Sequence, residues 1–541
     1  MSPVQHDRAT PTVGAEPQTS GSGVGLVWLA GAVFLVVALA TVGLSRELRW
    51  DEVTYLAQVT PGQPDVWFGP QRARGMTVVL LPVALLGAPL GLLRGWLLLV
   101  HSAALVAAFL PWVRAAGPVG GVAALVAAVG WVPLYFSVEA YPNLLAAFAV
   151  VAAAGWTLRW LRSPSPGWTP LVAAGLAIAL VASLRPIESV WIAAALTPVV
   201  LLWRPREAWR AIAAFAAGGL LGWLPWLVEA TVRFGGPLER VATARAASAS
   251  SAPRNSLIQY LNLIEGPVRR VVADPVLTGR ALLFLTLFAA LAMLGIAQRR
   301  DPAARSAALL GAWTATALAT PYLVLNAGIN LRYVLPAMLL ATVPVGGGLL
   351  ALARWLDDRH RTLAVVALLA VSLPITGWQV LLARHNSDAI ADLQARPVAL
   401  GAALVEASDG APCAFLSGVQ WPEIQWHSGC LGEVLDPDHP TLQCHDARRD
   451  LSELAEQGYR VFVLGRDEPP FSPAVSAWAV APLPEVPGGW WLYERPEDAG
   501  PDDPPTVPPP ETSTTPCPPS RAPDTDGAQL RLPWTTADEE G

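Results

Sequence analysis

Apolar runs of bilayer length recur along this chain, with the basic residues gathered in short turns between them. The run Val24–Leu44 is long enough to cross a hydrocarbon core, which takes about 20 residues. Further runs lie near 142–158, 170–184, 187–203, 211–230, 279–297, 306–325, 333–353 and 362–383. With 53% hydrophobic and 14% charged residues and a mean hydropathy of +0.42, against about 25% charge in a soluble domain, the chain reads as a polytopic α-helical membrane protein. The net charge of −6 gives nucleic acid no foothold. All basic residues are arginine, so Schiff-base chemistry and a P-loop lysine are both excluded.

Arginine placement sets an expected orientation, because cytoplasmic turns collect basic residues. The clusters Arg159/Arg162, Arg204/Arg206/Arg210, Arg299/Arg300/Arg305 and Arg354/Arg359/Arg361 are separated by two runs each, a hairpin rhythm. Between Val24–Leu44 and Arg159 lie four candidates: 76–93, 95–113, 118–136 and the Tyr141–Trp160 run. Only an odd number of crossings keeps Arg159 inside. The segment 76–93 carries Pro82, Pro89, Gly87 and Gly91, with Gly75 just before it, so it is the one expected to be juxtamembrane or re-entrant. The expectation is about 11 spans in a module covering 24–383, with outer loops at 45–94 and 231–278. Residues 1–23 are expected to be a disordered cytoplasmic N-terminus, and residues 501–541, rich in Pro, Thr and Asp, a disordered tail.

Residues 384–500 read as a small extracytoplasmic α/β domain, from strand-like Ala414-Phe415-Leu416 and Arg460–Leu464 and a helical piece Asp450–Gln457. Cys413, Cys430, Cys444 and Cys517 all follow the last apolar run, and an extracytoplasmic setting favours a disulfide. Cys413–Cys430 is the first choice, although spacing alone does not fix connectivity. No zinc-ligand spacing is present, and neither are Walker, G-x-S-x-G or strand-borne G-x-G-x-x-G motifs.

Chemistry-bearing residues gather at the expected outer ends of spans. Asp51-Glu52 follows the first span, flanked by Trp50 and Tyr55, which suit an interface. One of these carboxylates is a candidate general base; the alternative is a pair capping a surface helix. Arg332, in Asn330–Pro336, lies at an outer end against the positive-inside trend. It suits a bidentate phosphate clamp or a snorkelling headgroup contact. Arg185, before Pro186, either faces the same cavity or pairs with Glu188 at the surface. Glu139 and Asn143 are candidate sugar or acceptor contacts, or part of a turn leading into a span. Arg72 and Arg74 close the first outer loop and are candidate contacts to a sugar or acceptor, or to a phosphate. His101 reads as a core histidine.

In this order, Asp51-Glu52, Glu139–Asn143, Arg185-Pro186 and Arg332-Tyr333 with Pro336 resemble the GT-C superfamily of membrane glycosyltransferases, over roughly 25–383. That superfamily includes the protein O-mannosyltransferases, the aminoarabinose transferases of lipid A and the Rgt-type transferases. The resemblance implies a GT-C-like fold in the plasma membrane. It also implies an inverting transfer, metal-independent or assisted by a divalent metal, from a polyprenyl-phosphate-linked sugar to a protein, lipid or glycan acceptor. It implies Asp51 as base, Glu52 as a second acidic contact, and Arg332, Arg185 and Tyr333 at the donor phosphate. A lipid-linked sugar flippase and a non-enzymatic envelope protein are the alternatives. The flippase reading needs ionisable groups at mid-membrane depth, where the spans show few.

Overall fold

A computed structural model describes residues 21–64, 66–87, 89–246, 256–267, 278–325, 329–417, 420–434, 454–465, 478–486 and 488–495. Residues 1–20, Cys444, the first half of Asp450–Gln457, the tail at 501–541 and Cys517 lie outside the described residues; within Asp450–Gln457, Leu454–Glu456 are helical.

The helices follow one another as α1 (Gly21–Thr41), α2 (Trp50–Leu56), α3 (Gly75–Ala84), α4 (Leu90–Ala116), α5 (Pro118–Ala128), α6 (Trp131–Phe136), α7 (Pro142–Arg162), α8 (Thr169–Leu184), α9 (Pro186–Trp203), α10 (Ala208–Phe234), α11 (Pro237–Ala246), α12 (Ser256–Asn262), α13 (Gly279–Ala297), α14 (Pro302–Thr320), α15 (Leu335–Ser408) and α16 (Trp421–Ser428). Proline opens many of them. At the first turn its missing N–H removes a donor that has no helical partner anyway. Pro142, Pro186 and Pro302 play this part, the last behind Asp301, whose carboxylate accepts from Ala304 N at 3.0 Å.

Among the described residues, eight helices are long and apolar enough to cross a membrane: α1, α4, α7, α9, α10, α13, α14 and the Leu335–Leu356 part of α15. The 16-residue α8 completes hairpins with α7 and α9. The expected span 118–136 is broken into α5 and α6 at Gly130, with Pro133 in the first turn of the second piece. α3 has ten residues, or about 15 Å, half of a hydrocarbon core of about 30 Å. The residues after it belong to α4, which begins at Leu90, inside what the sequence suggested as loop.

α15 is helical throughout, yet it cannot be straight. Gly348 touches Leu291 of α13, and Trp378 stacks edge-on with Phe284 of the same helix at 5.4 Å. Seven residues separate those contacts on α13, about 10 Å, against thirty on α15, about 45 Å if extended. The chain therefore folds back between 348 and 378, returning alongside α13. It does not stop at 383 but continues as a stem to Ser408, ended by Asp409 and Gly410 in left-handed conformation (φ 49° and 77°).

The stem packs on a five-stranded sheet of β1 (Cys413–Ser417), β2 (Leu431–Val434), β3 (Arg460–Gly465), β4 (Ala479–Leu483) and β5 (Trp490–Glu494), in the order β2-β1-β3-β5-β4. β1 pairs in parallel with β2 and β3; β5 is antiparallel to β3 and β4. Leu400 and Leu404 of the stem bury Phe415, Ile424 and Phe462 on one face. A disulfide joins Cys413 to Cys430, closing a loop between β1 and β2.

The two ends of the bundle differ in chemistry. Arg204 donates to Leu161 O, Arg210 to Pro166 O, and Arg354 pairs with Asp301, so the arginine clusters share one end. α2, α3, α6, α11, α12 and the sheet lie at the other. Against lipid, α10 turns Leu220, Leu221, Leu224, Val228 and Val232 outward and buries Gly218 and Gly222 against α8. Small residues there let two backbones approach closely. A Cβ at Gly222 collides with Ala179 O and Ala182 Cβ, whereas one at Gly219 meets nothing within 4 Å. Gly222→Val is therefore expected to cost about 1–3 kcal/mol, read as a lower thermal midpoint in detergent, with Gly219→Val not lowering it.

Candidate active site

The geometry starts at α2, seven residues whose first turn holds both carboxylates. Glu52 is fully buried. Its oxygens accept the Arg49 N–H at 3.0 Å, closing the helix start, and the Ala140 N–H at 2.7 Å. Arg94 reaches the same carboxylate from α4 with both terminal nitrogens. Arg94 spends its remaining donors on Arg46 O, Glu47 O and Val138 O, at 2.9, 2.7 and 2.7 Å. All five N–H groups of a guanidinium are thus in use. Glu52 is a tie that holds α2 to α4 and to the 138–140 turn, not a second acid facing a ligand.

The Asp51 carboxylate, one position earlier, points the other way and keeps 21% of its side chain exposed. Arg72 donates to Oδ1 and Arg332 to Oδ2, each at 2.5 Å. Burial alone raises a carboxyl pKa, but the Arg332 and Arg72 charges outweigh it and hold Asp51 well below the usual carboxylate range. The stability this clamp provides is present above the ordinary value near 4 and is lost as pH falls further.

Arg332 sits on a short 3₁₀ turn, Leu331–Tyr333, fixed by Asn330 Oδ1 accepting its N–H at 3.1 Å and by Asn143 Nδ2 donating to its carbonyl at 3.2 Å. Its Nε is buried and donates to nothing. The guanidiniums of Arg185 and Arg332 each lie 5.2 Å from the centroid of the Tyr333 ring, which stacks on Tyr322 at 5.6 Å. Burial pushes the Tyr333 hydroxyl pKa up; Arg332 and Arg185 more than offset this and hold it below the usual value. Arg185 pairs with Glu188 at 2.5 Å, and Glu188, 1% exposed, also accepts from Tyr322. This pair is buried, not a surface pair.

The structure thus brings Asp51, Arg72, Arg185, Arg332 and Tyr333 together and assigns the other candidates elsewhere. Glu139 is buried between Arg46 and Arg49, so it braces the loop instead of meeting a sugar. Asn143 is 2% exposed and serves Arg332. Arg74 turns away to Glu229 and Gln58. Tyr55 is buried against Phe68, its hydroxyl pushed up to about 12 by burial, so it is no interfacial anchor. His101 Nδ1 lies 2.7 Å from Ser137 O in the core. Sequence reasoning passed over Arg94, Arg46 and Arg49. The signal for Arg94 was an arginine inside an apolar run, which demands a buried partner.

Among the described residues, six arginines (46, 49, 72, 94, 185, 332) form ion pairs with four carboxylates (Asp51, Glu52, Glu139, Glu188) in this cluster, an excess of two positive charges before the neighbouring Glu423 is counted. Such a set suits a phosphate and does not suit a divalent cation, because both Asp51 oxygens face guanidiniums and Glu52 has no free lone pair.

No family model matches the chain, and no curated protein matches it in sequence. Among solved structures it superposes on ArnT from Cupriavidus metallidurans bound to undecaprenyl phosphate, with TM-score 0.60 and 14% identity over 88% of this chain and 99% of that one. The apo state of the same ArnT gives TM-score 0.58 and 14% identity, over 89% and 100%. The chain therefore shares its polytopic helical fold with that ArnT over 88% of its length.

Removing one partner of a buried ion pair strands the other and costs about 3–5 kcal/mol. Arg94→Met is expected to lower the thermal midpoint sharply and to broaden the size-exclusion peak. Arg94→Lys, which keeps the charge but has fewer donors, is expected to fall between Arg94→Met and the wild type.

Proposed function

We propose that this protein is an integral membrane glycosyltransferase that moves a sugar, with inversion, from a polyprenyl-phosphate donor to a hydroxyl acceptor. The observation that carries this reading is the two-charge excess of guanidinium around Asp51, with one donor of Arg332 buried and unused. A phosphodiester donor brings one negative charge and the departing polyprenyl phosphate up to two, so the excess matches the product better than the substrate. That is the sense in which electrostatics accelerate a reaction. The likeness in fold to an ArnT that binds undecaprenyl phosphate supports a lipid phosphate as the ligand.

In this mechanism the donor phosphate enters between Arg332 and Arg185, over Tyr333. Arginine suits the task because its planar fork matches phosphate oxygens. Drawing Arg332 toward phosphate loosens its hold on Asp51. The carboxylate, too weak a base while doubly clamped, then becomes basic enough to accept the acceptor's hydroxyl proton. The acceptor oxygen bonds to the anomeric carbon as the bond from that carbon to the phosphate oxygen breaks. The electron pair leaves on the polyprenyl phosphate, and the proton stays on Asp51. The arginine clusters at the opposite end support an outward-facing site and sheet domain.

The test uses labelled polyprenyl-phosphate sugars and membranes with equal amounts of each variant. Asp51→Asn is expected to lower transfer by about 10²–10⁴-fold without loss of folded protein. Arg332→Lys is expected to weaken it less than Arg332→Ala, since charge survives but the fork does not. Near-full activity of Asp51→Asn removes Asp51 as the base. A wild type that transfers nothing from a broad donor panel removes the transferase reading.

A further inference from the structure

The sheet domain reaches the loop that carries Asp51 through one helix, α16. Trp421 meets Trp50 edge to face at 5.6 Å. Gln425 Nε2 donates to Pro64 O at 3.1 Å, and His427 Nε2 lies 3.8 Å from Glu47 Oε2. From the stem, Gln394 Nε2 donates to Glu47 O at 2.5 Å. Trp421 and Trp426 also pack on the apolar cluster beneath, formed by Leu48, Val53, Leu56 and Leu80.

Glu423 stands at the centre of this contact. Its Oε1 accepts the N–H of Trp50 at 2.8 Å. Trp50 opens α2, so this N–H is one of those a helix cannot satisfy internally. The side chain belongs to a different domain and lies more than three hundred and fifty residues along the chain. Glu423 is 5% exposed, and its Oε2 is buried with no hydrogen bond. The charged groups that face it are Arg49 and Asp51 from the α2 side, with Glu47 and His427 paired alongside. Arg49 is already committed to Tyr135 and Glu139.

We propose that Glu423 is a positioning residue for sugar transfer: from the sheet domain it caps the helix that bears Asp51, so the base keeps its place only while the domain is docked. This inference rests on the transferase reading above. It explains why a carboxyl is buried without a countercharge of its own. Neutral, it still offers an acceptor to Trp50 and strands no charge. Burial pushes its pKa from 4.5 up to about 7, outweighing the N–H groups of Glu423 itself and of Trp50 and the Arg49 charge, which oppose the rise, while Asp51 adds to it. For a group raised on folding, the protonated form is the one the docked state prefers. Docking is therefore tightest below the ordinary glutamate value of 4.5 and weakens as pH climbs through about 7.

The experiment pairs transfer kinetics with hydrogen–deuterium exchange over residues 44–57 in the full-length protein, from pH 5.5 to 8.5, with exchange corrected for its intrinsic pH dependence. In the wild type, kcat is expected to fall severalfold from pH 6 to pH 8 while exchange in α2 quickens and KM for the donor holds. Glu423→Gln keeps an acceptor and cannot ionise, so both quantities should become flat and remain near their pH 6 values. Glu423→Ala should exchange rapidly at every pH and lose at least tenfold in kcat. Slow, wild-type exchange in Glu423→Ala overturns the capping role, whatever the activity. Fast exchange with unchanged kcat overturns the link to Asp51. If the wild type transfers no sugar while Glu423→Ala still exchanges fast, the transferase reading has failed and the cap stands. If the wild type transfers and Glu423→Ala exchange is unchanged, the cap has failed and the reading stands.

Discussion

The ion pair of Arg94 and Glu52 decides where everything at the site end can sit. Both groups are shut away from water, one on a membrane helix and the other on a seven-residue surface helix. Two charges removed from water are costly, and their attraction repays this only when every remaining donor and lone pair is used. Here all are used: five guanidinium N–H groups, plus two backbone N–H groups on the carboxylate. The gain is position more than stability. α2 is too short to hold itself, and the loop before it has little regular structure. The pair fixes the loop, the helix and the 138–140 turn against one another, and Asp51, one residue before Glu52, shares that anchor, with the bond from Trp50 to the docked sheet domain completing its placement.

From that anchor the charges are arranged in layers. Innermost, Glu52 and Glu139 neutralise Arg94, Arg46 and part of Arg49. Outside them Asp51 stands with more positive charge than it can balance. Aromatic rings fill the gaps. Arg332 lies over Tyr141 and Tyr333, Arg46 over Tyr135, so the guanidinium planes are held by faces as well as by acceptors. A chain without lysine suits this construction. An ammonium offers a point charge, but neither a plane to stack nor a fork to bridge two acceptors.

Much of this architecture was legible from periodicity and arginine placement. Runs such as 142–158, 187–203 and 279–297 became α7, α9 and α13 with ends shifted by a few residues. The order of Asp51, Arg185 and Arg332 along the chain foretold their convergence, because each lies at the same end of a span. What could not be read was direction. Asp51 and Glu52 are neighbours of identical chemistry, yet adjacent helical positions point about 100° apart, and only the fold says which one meets Arg94. Glu139 and Asn143 were legible as polar residues at a turn, but not as braces for Arg46 and Arg332. Glu423 carried no local mark at all. Its role exists only because a distant domain lands on the first residue of α2.

The unbroken run from the last membrane crossing into the stem has a mechanical consequence. Twenty-odd helical residues between Arg384 and Ser408 make an arm of about 37 Å, and α16 rides on it where Gly401 touches His427. A tilt of about 5° at the base of such an arm sweeps its far end by about 3 Å, comparable with the whole length of the bond from Trp50 to Glu423. Membrane helices adjust their lean to the thickness of the bilayer around them. Any change in the lean of the last helix is carried along the stem toward the sheet domain and toward the loop before α2, where Glu47 O accepts from Gln394.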